Sequence, residues 1–324
     1  MKYYLILDIG GTKTTSVVFD EEGTPVTEFM VFPSRTYEGE DAVFQNTIEA
    51  GYAVLKAAGI DKTDILGVGV AAPGPLDYKT GLIIDVPMMG WKNFPLGDRL
   101  RKEFGVPVYV ENDGNLGALA EANLGVAQGE GTVLYQTIST GCGGGIAING
   151  QIYHGRSGFA GEFGHVSVNF EGPQCGCGNN GCFELYASGT AVNRRMARDI
   201  ENGVKSLAFE SIGYDVKKLN GKILSDAAEQ GDDYAISMLR QEGRYIGVGL
   251  SNLINLFDPD AIVLAGGMIK ANKWFWNDMV NEIKRRACFE VDDSVIRISE
   301  LNDKVVAYGA YYMIKEGVGG RLGY

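Results

Sequence analysis

The sequence predicts an α/β protein made of two halves with related architecture. At 324 residues the chain exceeds one typical domain of ~100–200 residues. A strand–glycine turn–strand–turn–strand pattern opens the chain and recurs well over a hundred residues later. Between and after the two copies, short β-branched runs alternate with stretches of helical apolar spacing. Hydrophobic residues make up 45% of the chain, enough for substantial cores.

The first copy is "YYLILDIGGTKTTSVVFDEEGTPVTEFMVF" (3–32). It reads as three strands, with "GGTKT" and "EEGTP" as turns. No helix follows the glycines, which argues against P-loop and dinucleotide-binding sites, since both place a helix there. Residues 41–59 carry Val43, Phe44, Ile48, Val54 and Leu55 at helical spacing and stop at Gly59. "ILGVGVAAPGPL" is a buried strand running into turns. "VPVYVEND" is another strand, and "GNLGALAEANLG" a helix, so Asn112 and Asp113 fall where strand becomes helix. The second copy is "TVLYQTISTGCGGGIAINGQIYHG", with "NG" as a hairpin turn. Residues 188–200 and 222–256 read as mostly helical, "AIVLAGGMI" as a buried strand, and 273–287 as a helix with basic residues near its end. "DKVVAYGAYYMIKEG" is a last helix and "GGRLGY" a tail.

The net charge of −12 is the wrong sign for a general nucleic-acid surface. The N-terminus is apolar for only a few residues before Asp8, too short for a signal-peptide core. No stretch approaches the ~20 apolar residues of a membrane span. The expectation is a cytoplasmic protein with no membrane partner, whose thiols stay reduced.

Three of the 5 cysteines cluster in "GEFGHVSVNFEGPQCGCGNNGC" (161–182), just downstream of a histidine. Cys175, Cys177, Cys182 and His165 supply the four ligands of a closed, structural zinc site. The C-x-C-x4-C spacing departs from the usual zinc knuckle, and a loop of buried free thiols is the alternative. Cys142 and Cys288 read as small buried hydrophobes. His154 has no assigned role beyond that of a hydrogen-bonded histidine in or after a strand.

A glycine turn between strands exposes N–H groups that can cradle phosphate oxygens. One such turn is weak evidence, because hairpins use glycine for backbone reasons. Here there are two, both beside threonines. Thr12, Thr137 and Thr140 add hydroxyl donors, Lys13 adds positive charge, and Asp8 can hold Mg²⁺ directly or through water.

Taken together, "DIGGTKT", "GVAAPGP", "ENDGN", "STGCGGGIAINGQIYHG", "GEFGH", "CGCGNNGCFE" and "VLAGG" come in the order seen in the ROK family of sugar kinases and repressors, which the chain resembles over nearly its whole length. The "GEFGH…CGCGNNGCFE" unit is highly specific. The resemblance implies a two-domain actin-like ATPase (ribonuclease H-like) fold with a cleft between domains. Residues 1–117 with 303–324 would form the small domain and 118–302 the large one. It implies ATP-dependent phosphorylation of a hexose, glucose first, at the 6-hydroxyl, with Mg²⁺ and a structural Zn²⁺. Asp113 would be the catalytic base, taking the hydroxyl proton. Gly74, Asn112, Glu162, His165 and Glu184 would bind the sugar alongside it. Asp8, Gly10, Gly11, Thr12, Lys13, Thr137, Thr140, Gly141, Gly266 and Gly267 would hold the nucleotide and its metal. A homodimer is implied by analogy.

The match loosens at "VPMMGW" (Val86–Trp91), where family glucokinases carry Pro-Asn-Leu-Pro-Gly-Trp. Met88 and Met89 bring apolar bulk suited to an acetamido methyl or an aglycone, or simply pack in the core. N-acetylmannosamine, N-acetylglucosamine, fructose, mannose and β-glucosides are therefore alternative substrates. A non-catalytic sugar-sensing regulator is the alternative of another class. ROK repressors place a helix-turn-helix domain before the first strand, which here starts at residue 3, so the expectation is an enzyme.

Overall fold

The computed structural model describes residues 2–320. The chain packs into two units. One comprises the residues up to Gly129, Gly145–Ala160 and those from Asp303 onward; the other comprises Glu130–Gly144 and Gly161–Asn302.

The first unit begins with β1 (Tyr3–Ile9), β2 (Lys13–Asp20), β3 (Met30–Pro33), α1 (Glu40–Ala58) and β4 (Ile65–Ala72). It continues through β5 (Leu76–Asp77), β6 (Leu82–Val86), β7 (Trp91–Phe94), α2 (Leu96–Phe104), β8 (Val108–Asn112) and α3 (Asp113–Asn123). Its main sheet has the order β3-β2-β1-β4-β8. The β1–β2 and β2–β3 pairs are antiparallel, whereas β1, β4 and β8 run parallel. Side chains alternate across this sheet, as the pleat requires. Leu5, Leu7 and Ile9 join Val43, Phe44 and Val54 of α1 in one core layer. Tyr4 and Ile6 join Leu116 and Leu119 of α3 and Ala310 and Ile314 of the last helix in the other. Gly59 stops α1 at φ 66°, its N–H bonded to the carbonyls of Leu55 and Lys56.

The parallel register fixes the site. Asp8 pairs with Ala71, Ala71 with Glu111, and Ala72 with Asn112. Asp8, Asn112 and Asp113 thus end up at the carboxyl ends of parallel strands, where open α/β sheets bind their ligands. Strands β5, β6 and β7 form a separate antiparallel sheet that sequence periodicity did not reveal. Trp91 of β7 and Met89 just before it are fully buried.

The remaining elements are β9 (Thr132–Ile138), β10 (Cys142–Ile148), β11 (Gln151–Ile152), α4 (Glu184–Ala187), α5 (Gly189–Glu201), α6 (Leu207–Ser211), α7 (Gly221–Glu229), α8 (Asp233–Phe257), β12 (Ala261–Ala265), α9 (Trp276–Arg286), β13 (Ile296–Ile298) and α10 (Val305–Val318). The second sheet has the order β11-β10-β9-β12-β13, with β9, β12 and β13 parallel, and so repeats the strand order of the first. The expected Asn-Gly hairpin turn is present: Asn149 (φ 50°) and Gly150 (φ 74°) join β10 to β11. The long helical stretch expected over 222–256 is broken between α7 and α8, where Gly231 adopts φ 81° and Asp232 caps α8 by accepting from Ala235 N–H. The last residues of the expected tail, 321–324, lie outside the described residues.

Candidate active site

In the first unit, the turn between β1 and β2 is closed by Gly10 N–H donating to the Lys13 carbonyl at 2.9 Å. Its carbonyl groups are engaged by the segment after β3. Ser34 Oγ donates to Gly10 O at 2.6 Å, Ser34 N–H to Thr12 O at 3.0 Å, and Thr36 Oγ1 to Gly11 O at 3.4 Å. With its carbonyls tied down, the turn is rigid, while Thr12 and Lys13 stay exposed. That is the state a phosphate cradle needs. Ser34 and Thr36 were not legible as part of this site, because they follow the glycines by more than twenty residues.

Asn112 caps α3, its Oδ1 accepting from Gly114 N–H at 2.8 Å. Asp113 is therefore the first helical residue and not the cap, and its own Oδ1 also accepts from Gly114 N–H at 2.9 Å. Asp113 keeps solvent-accessible surface, yet protein crowds its carboxyl and raises its pKa, with the Gly114 N–H pulling the other way. Asp8 is affected more. Burial, reinforced by the charge of Asp113 and opposed by Lys13, pushes it up to about 7. Two carboxylates close enough to repel, with a lysine nearby, form a site short of positive charge, and a hard divalent cation would relieve it. Asp8 fits a magnesium ion in that sense. Gly74 lies against this group: a Cβ on it would meet Asn112 Nδ2 at 3.4 Å.

Beneath Asn112, the buried Glu111 accepts from Asn112 N–H at 2.8 Å and from Asn115 Nδ2 at 3.0 Å. Its other oxygen lies 2.6 Å from His154 Nε2. The His154 ring stacks on Tyr78, with centroids 3.6 Å apart. His154, which had no role from sequence, thus braces the strand–helix junction that carries Asp113. Met88 separates from Met89: Met89 is core, whereas Met88 is 56% exposed and its methyl lies over Gly11.

In the second unit, the turn between β9 and β10 is braced in the same way as the first. Ser139 N–H donates to Gly141 O at 2.9 Å, Gly189 N–H to Ser139 O at 2.7 Å, and Thr190 N–H to Thr140 O at 3.2 Å. Thr190 Oγ1 adds a second bond to Thr140 O at 2.8 Å. Glu184, at the start of α4, accepts from Cys142 N–H at 3.0 Å through Oε2, and a Cβ at Gly141 would press on that oxygen. Glu184 and the glycine turn therefore form one structure, with a pocket whose wall includes Thr140, Gly141, Glu184 and Arg194. Behind it, Arg195 donates to the Tyr186 carbonyl and to the fully buried Glu242, fixing the far end of α4.

Gly266, at φ 99°, sits so tightly against the Ile138 backbone that any Cβ would collide with it. Its glycine is thus required by strand packing itself. Gly267 is open, with only Ser139 Oγ near a Cβ position. Thr137 lies on β9, one residue before Ile138.

His165, Cys175, Cys177 and Cys182 converge, with their ligand atoms all within 4.8 Å of one another. Cys175 Sγ is 3.7 Å from His165 Nδ1, and Cys177 Sγ is 3.6 Å from Cys182 Sγ. A tetrahedral zinc with Zn–S bonds of ~2.3 Å has edges of about 3.5–3.8 Å, which these separations match. They are far beyond the ~2.05 Å of a disulfide. Burial and the neighbouring thiols push Cys182 up to about 12, whereas the Asn179 backbone N–H lowers Cys177. The donor set fits zinc through His165 Nδ1 and three sulfurs. The ligand loop carries Glu162 on one flank, exposed, and Glu184 on the other. Cys288 corrects its sequence assignment, being exposed, whereas Cys142 is buried as expected.

Among the described residues, no helix is long and apolar enough to cross a membrane. The model of the ROK family matches residues 4–317. The chain is 33% identical over 318 residues to a glucokinase of Halalkalibacterium halodurans, covering 97% of this chain and 96% of that one. It is 35% identical over 230 residues to the xylose repressor of Bacillus subtilis, covering 71% of this chain but 56% of the repressor. Among solved structures, it is similar to a ROK family glucokinase from Streptomyces griseus in complex with glucose and AMPPNP. That match has a TM-score of 0.82 and 32% identity, covering 96% of this chain and 98% of that one. The α/β fold is that of the actin-like ATPases, and the chain belongs to the ROK family.

Proposed function

We propose that this protein is an ATP-dependent hexose kinase, with glucose as its first substrate and the 6-hydroxyl as the acceptor. The observation that carries it is the crowded carboxylate pair Asp8–Asp113 at the carboxyl ends of β1 and β8, beside the braced turn holding Lys13. A sugar-binding protein without turnover has no need to keep two carboxyls raised by burial, one of them further raised by the charge of the other. The similarity to a glucokinase over nearly the whole chain, and to a structure holding glucose and AMPPNP, supports the same reading.

Asp113 accepts the proton of the sugar hydroxyl as its oxygen attacks the γ-phosphorus. The new O–P bond forms, the bond to the bridging oxygen breaks, ADP leaves, and the proton passes from Asp113 to solvent. A raised pKa suits the task, since a base titrating nearer the working pH takes the proton more readily. Magnesium, when bound, neutralises phosphate charge. Asp8 and the turn Gly10–Lys13 hold the phosphate end in one unit, and Thr137, Thr140 and Gly141 do so in the other. Asn112, Glu162, His165 and Glu184, with Gly74, orient the sugar, and Gly267 leaves room for the adenosine. Zinc, held by His165, Cys175, Cys177 and Cys182, would fix the loop between Glu162 and Glu184.

The similarity to a xylose repressor favours a second reading, a sugar-responsive regulator. An ATP-consumption screen over glucose, mannose, fructose, their N-acetylated amines and β-glucosides separates the two. Turnover with glucose supports the kinase. No turnover with any sugar, together with tight binding of one, supports the regulator.

A further inference from the structure

Three arginines lie on α5. Arg195 is paired with Glu242 and bonded to the Tyr186 carbonyl, and Arg198 lies 3.6 Å from Asp199. Arg194 is exposed, and among the described residues it has neither a hydrogen bond nor an ion pair. In a chain of net charge −12, a lone arginine on a pocket wall is conspicuous, since carboxylates are abundant and none has been brought to it.

Its position is specific. Thr190 is tied to the Thr140 carbonyl through both its N–H and its hydroxyl. Arg194 follows Thr190 by four residues and so lies on the same helical face, one turn further along. The same pocket wall carries Glu184, whose Oε2 is held at Cys142 N–H. One wall thus presents a carboxylate, a hydroxyl-bearing glycine turn and an unpaired guanidinium. A ligand suited to it has hydroxyls toward Glu184 and negative charge toward Arg194.

We infer that Arg194 is a nucleotide-binding residue, its guanidinium contacting the polyphosphate of the phosphoryl donor while Glu184 faces the acceptor sugar. The inference rests on the kinase reading for its ligand. It assigns to the second unit a cation that neither its own glycine turn nor the zinc loop supplies, and a planar fork of donors suits phosphate oxygens.

The test compares Arg194→Ala, Arg194→Lys and Arg198→Ala with the wild type. Steady-state kinetics are measured with ATP and glucose varied in turn, and AMPPNP binding by calorimetry. Arg194→Ala should raise the KM for ATP and the Kd for AMPPNP about tenfold or more, the loss of one charge-assisted contact. The KM for glucose should stay within about twofold. Lysine should restore part of the loss. Arg198→Ala, with the same change of charge on the same helix, should behave as wild type. Unchanged AMPPNP affinity in Arg194→Ala would overturn the inference and leave the kinase reading standing. Arg194-dependent AMPPNP binding by a protein that phosphorylates no sugar would uphold the inference and overturn the kinase reading. A wild type that does not bind AMPPNP would overturn both.

Discussion

In the proposed reaction the chemistry turns on Asp113 and Asp8, and their environments make distinct predictions. Asp113→Asn keeps the Gly114 contact and the shape of the side chain but cannot take a proton. Its kcat should fall by ~10²–10⁴-fold, while AMPPNP and glucose still bind. Asp8, pushed up to about 7 by burial, Asp113 and the opposing Lys13, should place a rising limb near pH 7 in kcat/KM. Raising Mg²⁺ should move that limb to lower pH, because the metal favours the ionised form, and Asp8→Asn should abolish it. The sign for stability follows from the same shift. The folded carboxyl keeps a proton that the unfolded chain releases from about pH 4 upward, so Asp8 costs stability as pH rises from there to about 7. Asp8→Asn should therefore be more stable than wild type at pH 8, by about 1–2 kcal/mol after allowing for partial exposure, and the gain should shrink toward pH 4. Loss of activity with gain of stability would mark Asp8 as a residue kept for function. An Asp8→Asn protein less stable than wild type at pH 8 would contradict this.

At the scale of elements, the proposed function rests on the two glycine turns and the cysteine loop. Each turn is stiffened by hydrogen bonds to its carbonyls, from Ser34 and Thr36 in one case and from Gly189 and Thr190 in the other. Ser34→Ala removes the 2.6 Å bond to Gly10 O. It should cost about 1 kcal/mol and raise the KM for ATP more than that for the sugar. The cysteine loop should hold one zinc per chain when the protein is purified without chelator. Cys175→Ser should lose the ion, melt at lower temperature and raise the KM for glucose, because Glu184 follows Cys182 by two residues. Well-folded protein without metal would refute the zinc site. These elements differ in how legible they were. The turns, the cysteine cluster and the Asn112–Asp113 junction could be read from sequence because local spacing encodes them. The Asn-Gly hairpin and the Gly59 stop were readable for the same reason. The sheet of β5, β6 and β7 escaped because its strands are 2, 5 and 4 residues long, too short to show a period. Ser34, Thr36 and the Glu111–His154–Tyr78 stack escaped because each acts through contacts that only the folded chain creates. Burial raised the pKa of Asp113 and Asp8, and burial cannot be read from a motif.

For the molecule as a whole, the strand order β3-β2-β1-β4-β8 and its repeat β11-β10-β9-β12-β13 account for the recurrence of the glycine turn seen in the sequence. Each sheet offers one hairpin between its first two strands in chain order, with a braced glycine turn at its tip. The fold alone does not choose between catalysis and sensing, because the family holds both. In the proposed function the carboxylates make that choice, and the most direct measurement follows the phosphorus itself. In a reaction of ATP, Mg²⁺ and glucose monitored by phosphorus NMR, the wild type should produce ADP and a new sugar phosphomonoester resonance, and Asp113→Asn should leave ATP unchanged on the same timescale. Persistence of ATP with the wild type, or equal product from Asp113→Asn, would contradict a kinase that uses Asp113 as its base.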